Sequence, residues 1–346
     1  MSKENQALVL QSVNKFSFEN REVPELRDEY CVRVLIQQIG ICASDVHYWQ
    51  PGRIGDLIIN DPLVLGHESS GKVVEVGKKV KNVKVGDIVA IEPGDPCRRN
   101  PPGDGTLQKS FIAASDFCYP LPPNMNAEDG ALVEPAAVAV SICKTAGLKA
   151  GQTVLVFGCG SIGVLTQAVA KAHGVKVIGI NRSNPRALFA KSFGPCRADD
   201  VFVPKQPSAP VANSISASRD VADQIIRKFD LGDGADAVLE CTGAESFIQA
   251  GIFATRLGGT YVQAGFDKEN AVFPITSACL RALNIKGVMR YTTGCYRAAI
   301  DLVASGKIDV RSLITHRFKF EQALEAFELI KGGEPNRMKV MIQGVQ

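Results

Sequence analysis

A glycine-rich turn directly after a strand constrains this chain more than any other feature of its sequence. The apolar run TVLVF at 153–157 predicts a buried strand, and apolar spacing over 163–173 predicts a helix. Between them stands the pattern G-x-G-x-x-G, made of Gly158, Cys159, Gly160, Ser161, Ile162 and Gly163. In this pattern the first glycine permits a tight turn, the second lets the backbone approach a pyrophosphate, and the third lets helix and strand pack closely. The sequence therefore predicts a dinucleotide site at a helix N-terminus.

The chain around this motif alternates between strand and helix. Further strands are predicted at 175–180, 235–241, 260–265 and 284–288, with helical patterns between them. This rhythm is typical of a doubly wound parallel sheet, the Rossmann fold, and we assign it to residues 138–281. The serine- and proline-rich stretch 204–218 is interpreted as a surface loop within this domain.

The first part of the chain has a different pattern of predicted secondary structure. Short strands separated by glycines are predicted at 31–36, 71–76 and 87–91, which indicates an irregular β-rich domain over 1–137. Near the end of the chain, the run 339–342 predicts an edge strand that returns to this first domain. The fold class is therefore α/β, with a Rossmann domain and a second, β-rich domain.

Charge and composition narrow the class of partner. A net charge of +3 with 22% charged residues is too mild to indicate binding to nucleic acid or to a membrane surface, so we expect a small-molecule partner. We see no signal peptide and no apolar window long enough to span a membrane. The ten cysteines are scattered through strand-like and helix-like contexts, which favours a reducing compartment. We expect a cytoplasmic protein.

The residues after the second strand of the Rossmann domain bear on the choice of cofactor. An acid at this position accepts hydrogen bonds from the ribose hydroxyls of NAD and repels a 2′-phosphate. This chain has Asn181, Arg182 and Ser183 there, and Arg186 follows one turn later. The guanidinium groups can bind a phosphate bidentately, so the sequence predicts NADP(H). The alternative is that both arginines are solvated surface charges.

Three residues of the first domain suit a catalytic metal ion. Cys42 lies in the segment GICASDVHYW, and His67 and Glu68 lie in GHESSG. Thiolate, imidazole and carboxylate are all ligands of zinc, and a catalytic zinc uses three protein ligands and keeps one open position. Alternatively, Cys42 is a small buried apolar residue and Glu68 a solvated acid.

These segments, with 86–87, 92–94, 134–135, 240–244 and 286–291, resemble the zinc-dependent medium-chain dehydrogenases, in particular their sorbitol dehydrogenase and ketose reductase branch. The resemblance extends from about Arg33 to Met341. It implies a GroES-like catalytic domain, 1–137 completed by 282–346, around the Rossmann domain. It also implies interconversion of ketoses and polyols at one zinc ion per chain.

The resemblance assigns roles residue by residue. Cys42, His67 and Glu68 match the zinc ligands, and Glu134 matches the acid that binds the zinc water or enters the metal shell. The remaining matches are Ser44 and His47 in the proton relay, and Tyr48, Arg290 and Tyr291 in the polyol pocket. In the mechanism that the resemblance implies, zinc would act as a Lewis acid toward the ketone oxygen, the nicotinamide would supply hydride, and the alcohol proton would move through Ser44.

The chain departs from these relatives after Cys97. Relatives continue into a long lobe that often holds a structural zinc on four cysteines, whereas Asn100 here leads directly into Pro101. Since Cys97 alone remains of that pattern, we predict no structural zinc. A shorter lobe could widen the cleft, so the alternative activity is a biosynthetic reductase for a larger ketone or enone.

A non-enzymatic cofactor-binding protein is a further alternative. We expect a homo-oligomer, either a dimer or a tetramer.

Overall fold

The computed structural model describes residues 4–94, 104–205, 214–267, 270–334 and 336–346. The chain divides into two compact units, one made of 1–134 and 310–346 and the other of 135–309. The predicted domain limits placed 282–309 with the first domain, whereas this division groups those residues with the second unit. The reason is that the strand at 284–287 pairs with the Rossmann sheet.

The second unit contains a six-stranded parallel sheet. Its strands run in the order β13-β12-β11-β14-β15-β16, which is the Rossmann order 3-2-1-4-5-6 and confirms the predicted doubly wound fold. The sheet strands are β11 (Thr153–Phe157), β12 (Lys176–Ile180), β13 (Asp200–Phe202), β14 (Ala235–Glu240), β15 (Thr255–Gln263) and β16 (Asn284–Gly287). The last four of the five residues of β11 are fully buried because helices cover both faces of such a sheet.

The helices of this unit follow its strands. They are α3 (Ser161–Ala172), α4 (Asn184–Ser192), α5 (Ser214–Phe229), α6 (Glu245–Ala254), α7 (Ile275–Leu280) and α8 (Cys295–Ala304). A preceding helix, α2 (Ala127–Ala146), contains the division between the units. The predicted loop 204–218 is wrong at its end, since Ser214–Ser218 form the first turns of α5; residues 206–213 lie outside the described part.

The first unit is β-rich, as predicted. A larger sheet has the order β10-β8-β7-β3-β18-β17, with β9 also pairing with β3, and a smaller sheet has the order β2-β1-β6. The larger sheet contains β3 (Cys31–Gly40), β7 (Glu68–Val76), β8 (Ile88–Ile91), β9 (Ser110–Ala114), β10 (Cys118–Pro120), β17 (Ile314–Phe318) and β18 (Lys339–Gln343). The remaining elements are β1 (Glu4–Ser12), β2 (Lys15–Glu22), β4 (Arg53–Ile54), β5 (Leu57–Ile58), β6 (Leu63–Val64), α1 (Ala43–Trp49) and α9 (Ala323–Lys331).

The last strand returns to the first unit, but not at an edge. β18 pairs antiparallel with β3 and parallel with β17, so it lies inside the sheet and the predicted edge position is wrong. This pairing places Lys339, the first residue of β18, beside the end of β3. No helix in the described ranges is both long and apolar enough to cross a membrane.

Candidate active site

The three predicted metal ligands meet at one place in the first unit. Cys42 precedes α1, whereas His67 and Glu68 lie at the start of β7. One ligand atom from each lies within 4.8 Å of the others. Among the described residues, these three side chains form the cluster of acidic, histidine and cysteine residues that could hold a metal ion. A thiolate, an imidazole and a carboxylate are a donor set that zinc accepts with one position left open. The residues present therefore fit a catalytic zinc ion.

Asp45 contacts two of the three candidate ligands, His67 and the backbone of Cys42. Its Oδ1 lies 3.2 Å from Nδ1 of His67 and accepts a 3.2 Å hydrogen bond from the backbone N–H of Gly66. Its Oδ2 accepts a 3.0 Å hydrogen bond from the backbone N–H of Cys42. One carboxylate thus orients two of the proposed ligands and leaves Nε2 of His67 for the metal. The sequence interpretation did not assign Asp45, although a carboxylate three residues after the cysteine, on a helical first turn, could have indicated it.

Asp45 and His67 shift each other's pKa in opposite directions. Burial raises the pKa of Asp45, but the charge and hydrogen bond of His67 and the two backbone N–H groups lower it further, so the net pKa lies below its usual value. Burial lowers the pKa of His67, but the charges and hydrogen bonds of Asp45 and Cys42 together outweigh this effect and hold the pKa well above its usual value. Asp45 is therefore a carboxylate, which strengthens the electron donation of the imidazole toward a metal ion.

A buried lysine forms the other side of the cluster. Nζ of Lys339 donates hydrogen bonds of 2.7 and 2.6 Å to the two oxygens of Glu68, and both side chains are almost fully buried. Gly40 leaves room for this pair, since a Cβ at that position would collide with the Glu68 carboxylate. Lys339 offsets part of the negative charge that Glu68 and a Cys42 thiolate would concentrate in the interior. Glu68 must therefore share its carboxylate between Lys339 and a metal ion, a condition that the sequence did not reveal.

Glu134 belongs to the same neighbourhood. It lies on α2 and is 3% exposed. Burial lowers the pKa of Lys339, but the charges of Glu68, Cys42 and Glu134, with the Glu68 hydrogen bond, raise it above its usual value. Glu134 is not among the three side chains whose ligand atoms converge, so its predicted place in the metal shell stays a prediction.

The predicted relay residues lie on α1. Oγ of Ser44 is 3.4 Å from Nε2 of His67, and His47 follows three residues later, so both side chains occupy one face of the helix. Tyr48 is half-buried and packs against the hydrophobic core of this unit.

Arg290 and Tyr291, the other predicted pocket residues, belong to the second unit. Arg290 has a φ of +52°, an uncommon conformation for a residue with a side chain. The ring of Tyr291 lies edge-on to that of Tyr296, with centroids 5.4 Å apart. Backbone strain of this kind is concentrated at functional sites.

The glycine motif has the geometry that its pattern predicts. Gly158 follows β11 with a φ of +108°, and a Cβ on Gly163 would collide with the carbonyl of Gly158. Beside Gly160, the N-cap of α3, a Cβ would have one neighbour, Nη1 of Arg186 at 4.0 Å. Space is therefore open next to the backbone N–H groups at the start of α3, where an anion would bind. Cys159 is buried, and burial raises its pKa to about 11, which fits an inert thiol.

Asn181 supports the glycine motif directly. Its Oδ1 accepts a 3.2 Å hydrogen bond from the backbone N–H of Cys159, and its Nδ2 donates a 2.9 Å bond to the carbonyl of Ser183. The side chain is 7% exposed, so it faces the protein. An aspartate would lack the donor for Ser183. The asparagine thus links the phosphate turn to the start of α4.

Arg182 and Arg186 contact different neighbours. Arg186 lies beside Gly160, as described above, and its charge acts on Cys159. The guanidinium carbon of Arg182 is 5.5 Å from the ring centroid of Phe247. Within the described ranges, no acidic side chain lies within ion-pair distance of Arg182, and the residue is exposed. Its charge is therefore available to an anionic ligand. The same exposure would also be found for a solvated surface arginine without a ligand.

Comparison with known proteins agrees with this architecture. Residues 28–123 match the alcohol dehydrogenase GroES-like domain, and residues 161–305 match the zinc-binding dehydrogenase domain. A probable D-xylulose reductase A from Aspergillus clavatus is 45% identical over 99% of this chain and 98% of its own length. The chain belongs to the zinc-dependent medium-chain dehydrogenases, in their sorbitol dehydrogenase branch.

Solved structures of other dehydrogenases share the fold of this medium-chain dehydrogenase. An oxidoreductase of unknown specificity from Escherichia coli superposes with a TM-score of 0.88 at 27% identity, covering 99% of this chain and all of the other. A putative zinc-binding dehydrogenase from Sinorhizobium meliloti, bound to NADP, has a TM-score of 0.82 at 25% identity and covers 99% of this chain and 100% of its own.

Proposed function

We propose that this dehydrogenase interconverts a ketose and a polyol with zinc and NADP(H), and that reduction of the ketose is its main direction. The observation that carries the proposal is the convergence of Cys42, His67 and Glu68 on one point. The 45% identity to a probable D-xylulose reductase A along almost the whole chain supports a ketose as substrate. The available charge of Arg182 and the neutral Asn181 support NADP(H).

Each residue has a distinct task in this reaction. Cys42, His67 and Glu68 would hold the zinc ion, which would supply Lewis acidity toward the substrate oxygen, and the bound nicotinamide would supply or accept hydride. Asp45 keeps His67 oriented through Nδ1. Ser44, next to His67, gives a proton to the substrate oxygen during reduction, and His47 on the same helix face passes a replacement inward from solvent. Tyr48, Arg290 and Tyr291 bind the remaining hydroxyl groups.

A steady-state assay tests the proposal. NADPH and NADH are supplied in parallel with D-xylulose and D-fructose, and initial rates of cofactor oxidation are measured. We expect turnover of at least one ketose, with a higher kcat/KM for NADPH. Protein that contains zinc and binds NADPH but turns over neither ketose would contradict the ketose assignment and favour the larger ketone or enone.

We also propose a dimer that forms along β16. This strand is the outer edge of its sheet, and all four of its residues are exposed, with Ile285 at 44%. Leu280 and Met289, before and after it in the chain, are 77% and 54% exposed. An open edge with apolar neighbours is a template for pairing, and a second copy of β16 provides the same surface in the antiparallel direction.

Light scattering after size-exclusion chromatography measures this association. Leu280→Lys with Ile285→Lys is expected to shift the mass toward that of one chain, because lysines on an edge strand and beside it oppose pairing. Val85→Lys, at a residue 58% exposed in the other unit, serves as the control and should keep the wild-type mass. An unchanged mass in the double variant would reject β16 as the interface.

A further inference from the structure

The carboxylate of Glu240 is the centre of a buried network at the end of β14. It is fully buried and accepts hydrogen bonds from the backbone N–H groups of Thr242, at 2.9 Å, and Gly243, at 2.8 Å. The hydroxyl of Thr242 and Nε2 of Gln263, the latter at 2.9 Å, donate to the same carboxylate. Four donors therefore point at one acidic group, which suits an acceptor in its charged form.

The neighbours of this network determine the direction of two of its hydrogen bonds. The backbone N–H of Ala244 donates to Oγ1 of Thr242 at 3.0 Å, so the hydroxyl hydrogen of Thr242 is free to point to Glu240. The hydroxyl of Tyr261 donates to Oε1 of Gln263 at 2.6 Å, so the amide nitrogen of Gln263 faces Glu240. Both contacts orient the donors toward the carboxylate.

The turn that Glu240 holds, residues 241–243, lies at the carboxyl end of the sheet next to the glycine motif. The strand order reverses between β11 and β14, and open α/β sheets bind their ligands in the crevice at this point. A Cβ on Gly158 would lie 2.9 Å from Cγ2 of Thr242, and a Cβ on Gly265 would collide with the backbone N–H of Gly243. The turn is therefore packed between the first glycine of the motif and the segment after β15.

We propose that Glu240 is a positioning residue for the cofactor, holding turn 241–243 as a preformed wall of the dinucleotide crevice. This inference rests on the proposed function. The turn packs on Gly158, at the pyrophosphate turn, whereas Arg182 marks the proposed 2′-phosphate site. Glu240 should therefore act on the part of the dinucleotide that NADPH and NADH share, in contrast to the role assigned to Arg182.

Binding without substrate tests this assignment. Wild type and Glu240→Gln are titrated with NADPH and NADH while the fluorescence of the reduced nicotinamide is followed. The amide places an N–H₂ group among four donors, so at least one hydrogen bond to a charged group is lost, and we expect Kd to rise about tenfold for both cofactors. Amide hydrogen exchange over 240–244 should also become faster. Glu245→Gln is the control, because its carboxylate accepts from the backbone N–H of Val272 and not from the turn.

Thr242→Val and Thr242→Ser keep the test decisive if Glu240→Gln does not fold. The valine removes one donor and should weaken both cofactors several-fold, whereas the serine retains the hydroxyl and should bind as wild type does. Folded variants with wild-type Kd values, or a loss confined to NADPH, would overturn the positioning role. If the wild type bound neither cofactor, the proposed function would fail together with this inference.

Discussion

His67→Ala is expected to lose zinc and to reduce kcat/KM for ketose reduction by about 10³-fold or more. The imidazole is one of three ligands, and the remaining Cys42 and Glu68 cannot complete the three-ligand set of a catalytic zinc site. Loss of the Lewis acid removes several kcal/mol of stabilisation of the developing alkoxide, and each 1.4 kcal/mol corresponds to about a factor of ten in rate. Metal analysis of the purified protein and initial rates with D-xylulose and NADPH measure the two effects.

The matched control is His316→Ala. His316 lies in the same unit on β17, and its ring contacts the hydroxyl of Thr315 at 3.0 Å, outside the metal cluster. This variant should retain about one zinc ion per chain and the wild-type rate. The NADPH dissociation constant of His67→Ala should stay close to that of the wild type, since the glycine motif lies in the other unit. Full metal content together with an unchanged rate in His67→Ala would exclude the cluster as the catalytic zinc site.

The sequence singled out the three side chains that converge at this site, but not their surroundings. His67 and Glu68 are adjacent, and Cys42 lies in a short segment with Ser44 and His47, so local patterns made them candidates and the resemblance to the dehydrogenases favoured them. Lys339 is 271 residues away from Glu68 in the sequence. A buried ion pair between two such distant residues depends on β18 joining β3, and no local pattern predicts that pairing.

The Rossmann unit was similarly predictable in outline but not in detail. The strand 153–157 agrees with β11, because an apolar run followed by glycine is a strong local signal. From the sequence, Asn181 was interpreted only as a neutral residue in place of an acid that would repel a 2′-phosphate. The structure also shows its side chain hydrogen-bonded to the backbone of Cys159 and Ser183. The strand at 284–288 was also predicted and agrees with β16, although the predicted unit ended at 281 and the division of the chain places 284–309 with the Rossmann sheet. Cys97, the basis for predicting no structural zinc, lies outside the described residues.

Arg182→Ala is expected to weaken NADPH binding much more than NADH binding. The guanidinium is exposed, and its contact with the Phe247 ring limits its freedom before a ligand arrives. Hydrogen bonds between charged groups contribute about 1.5–3 kcal/mol, so Kd for NADPH should rise about 10- to 100-fold. NADH has no 2′-phosphate, and its Kd should change little. Fluorescence titration with both cofactors, in the absence of substrate, measures the ratio.

Adding Asn181→Asp to Arg182→Ala should reverse the preference toward NADH. The new carboxylate repels a 2′-phosphate and can accept hydrogen bonds from the ribose hydroxyls of NADH. It can still accept the N–H of Cys159, but it lacks the donor that Asn181 offers to the carbonyl of Ser183. We therefore expect a modest loss of affinity for NADH relative to an ideal NAD site, and a much larger loss for NADPH.

Arg219→Ala provides the control for removal of an arginine from this unit. The Arg219 guanidinium stacks on the Phe253 ring at 4.0 Å, an arrangement similar to that of Arg182 on Phe247, but it lies on α5. This variant should leave both dissociation constants unchanged. Equal weakening of NADPH and NADH in Arg182→Ala would mean that Arg182 supports the fold or the shared part of the dinucleotide, and the NADP(H) assignment would then lose its main support. A selective loss of NADPH would identify Arg182 as the residue that distinguishes the two cofactors.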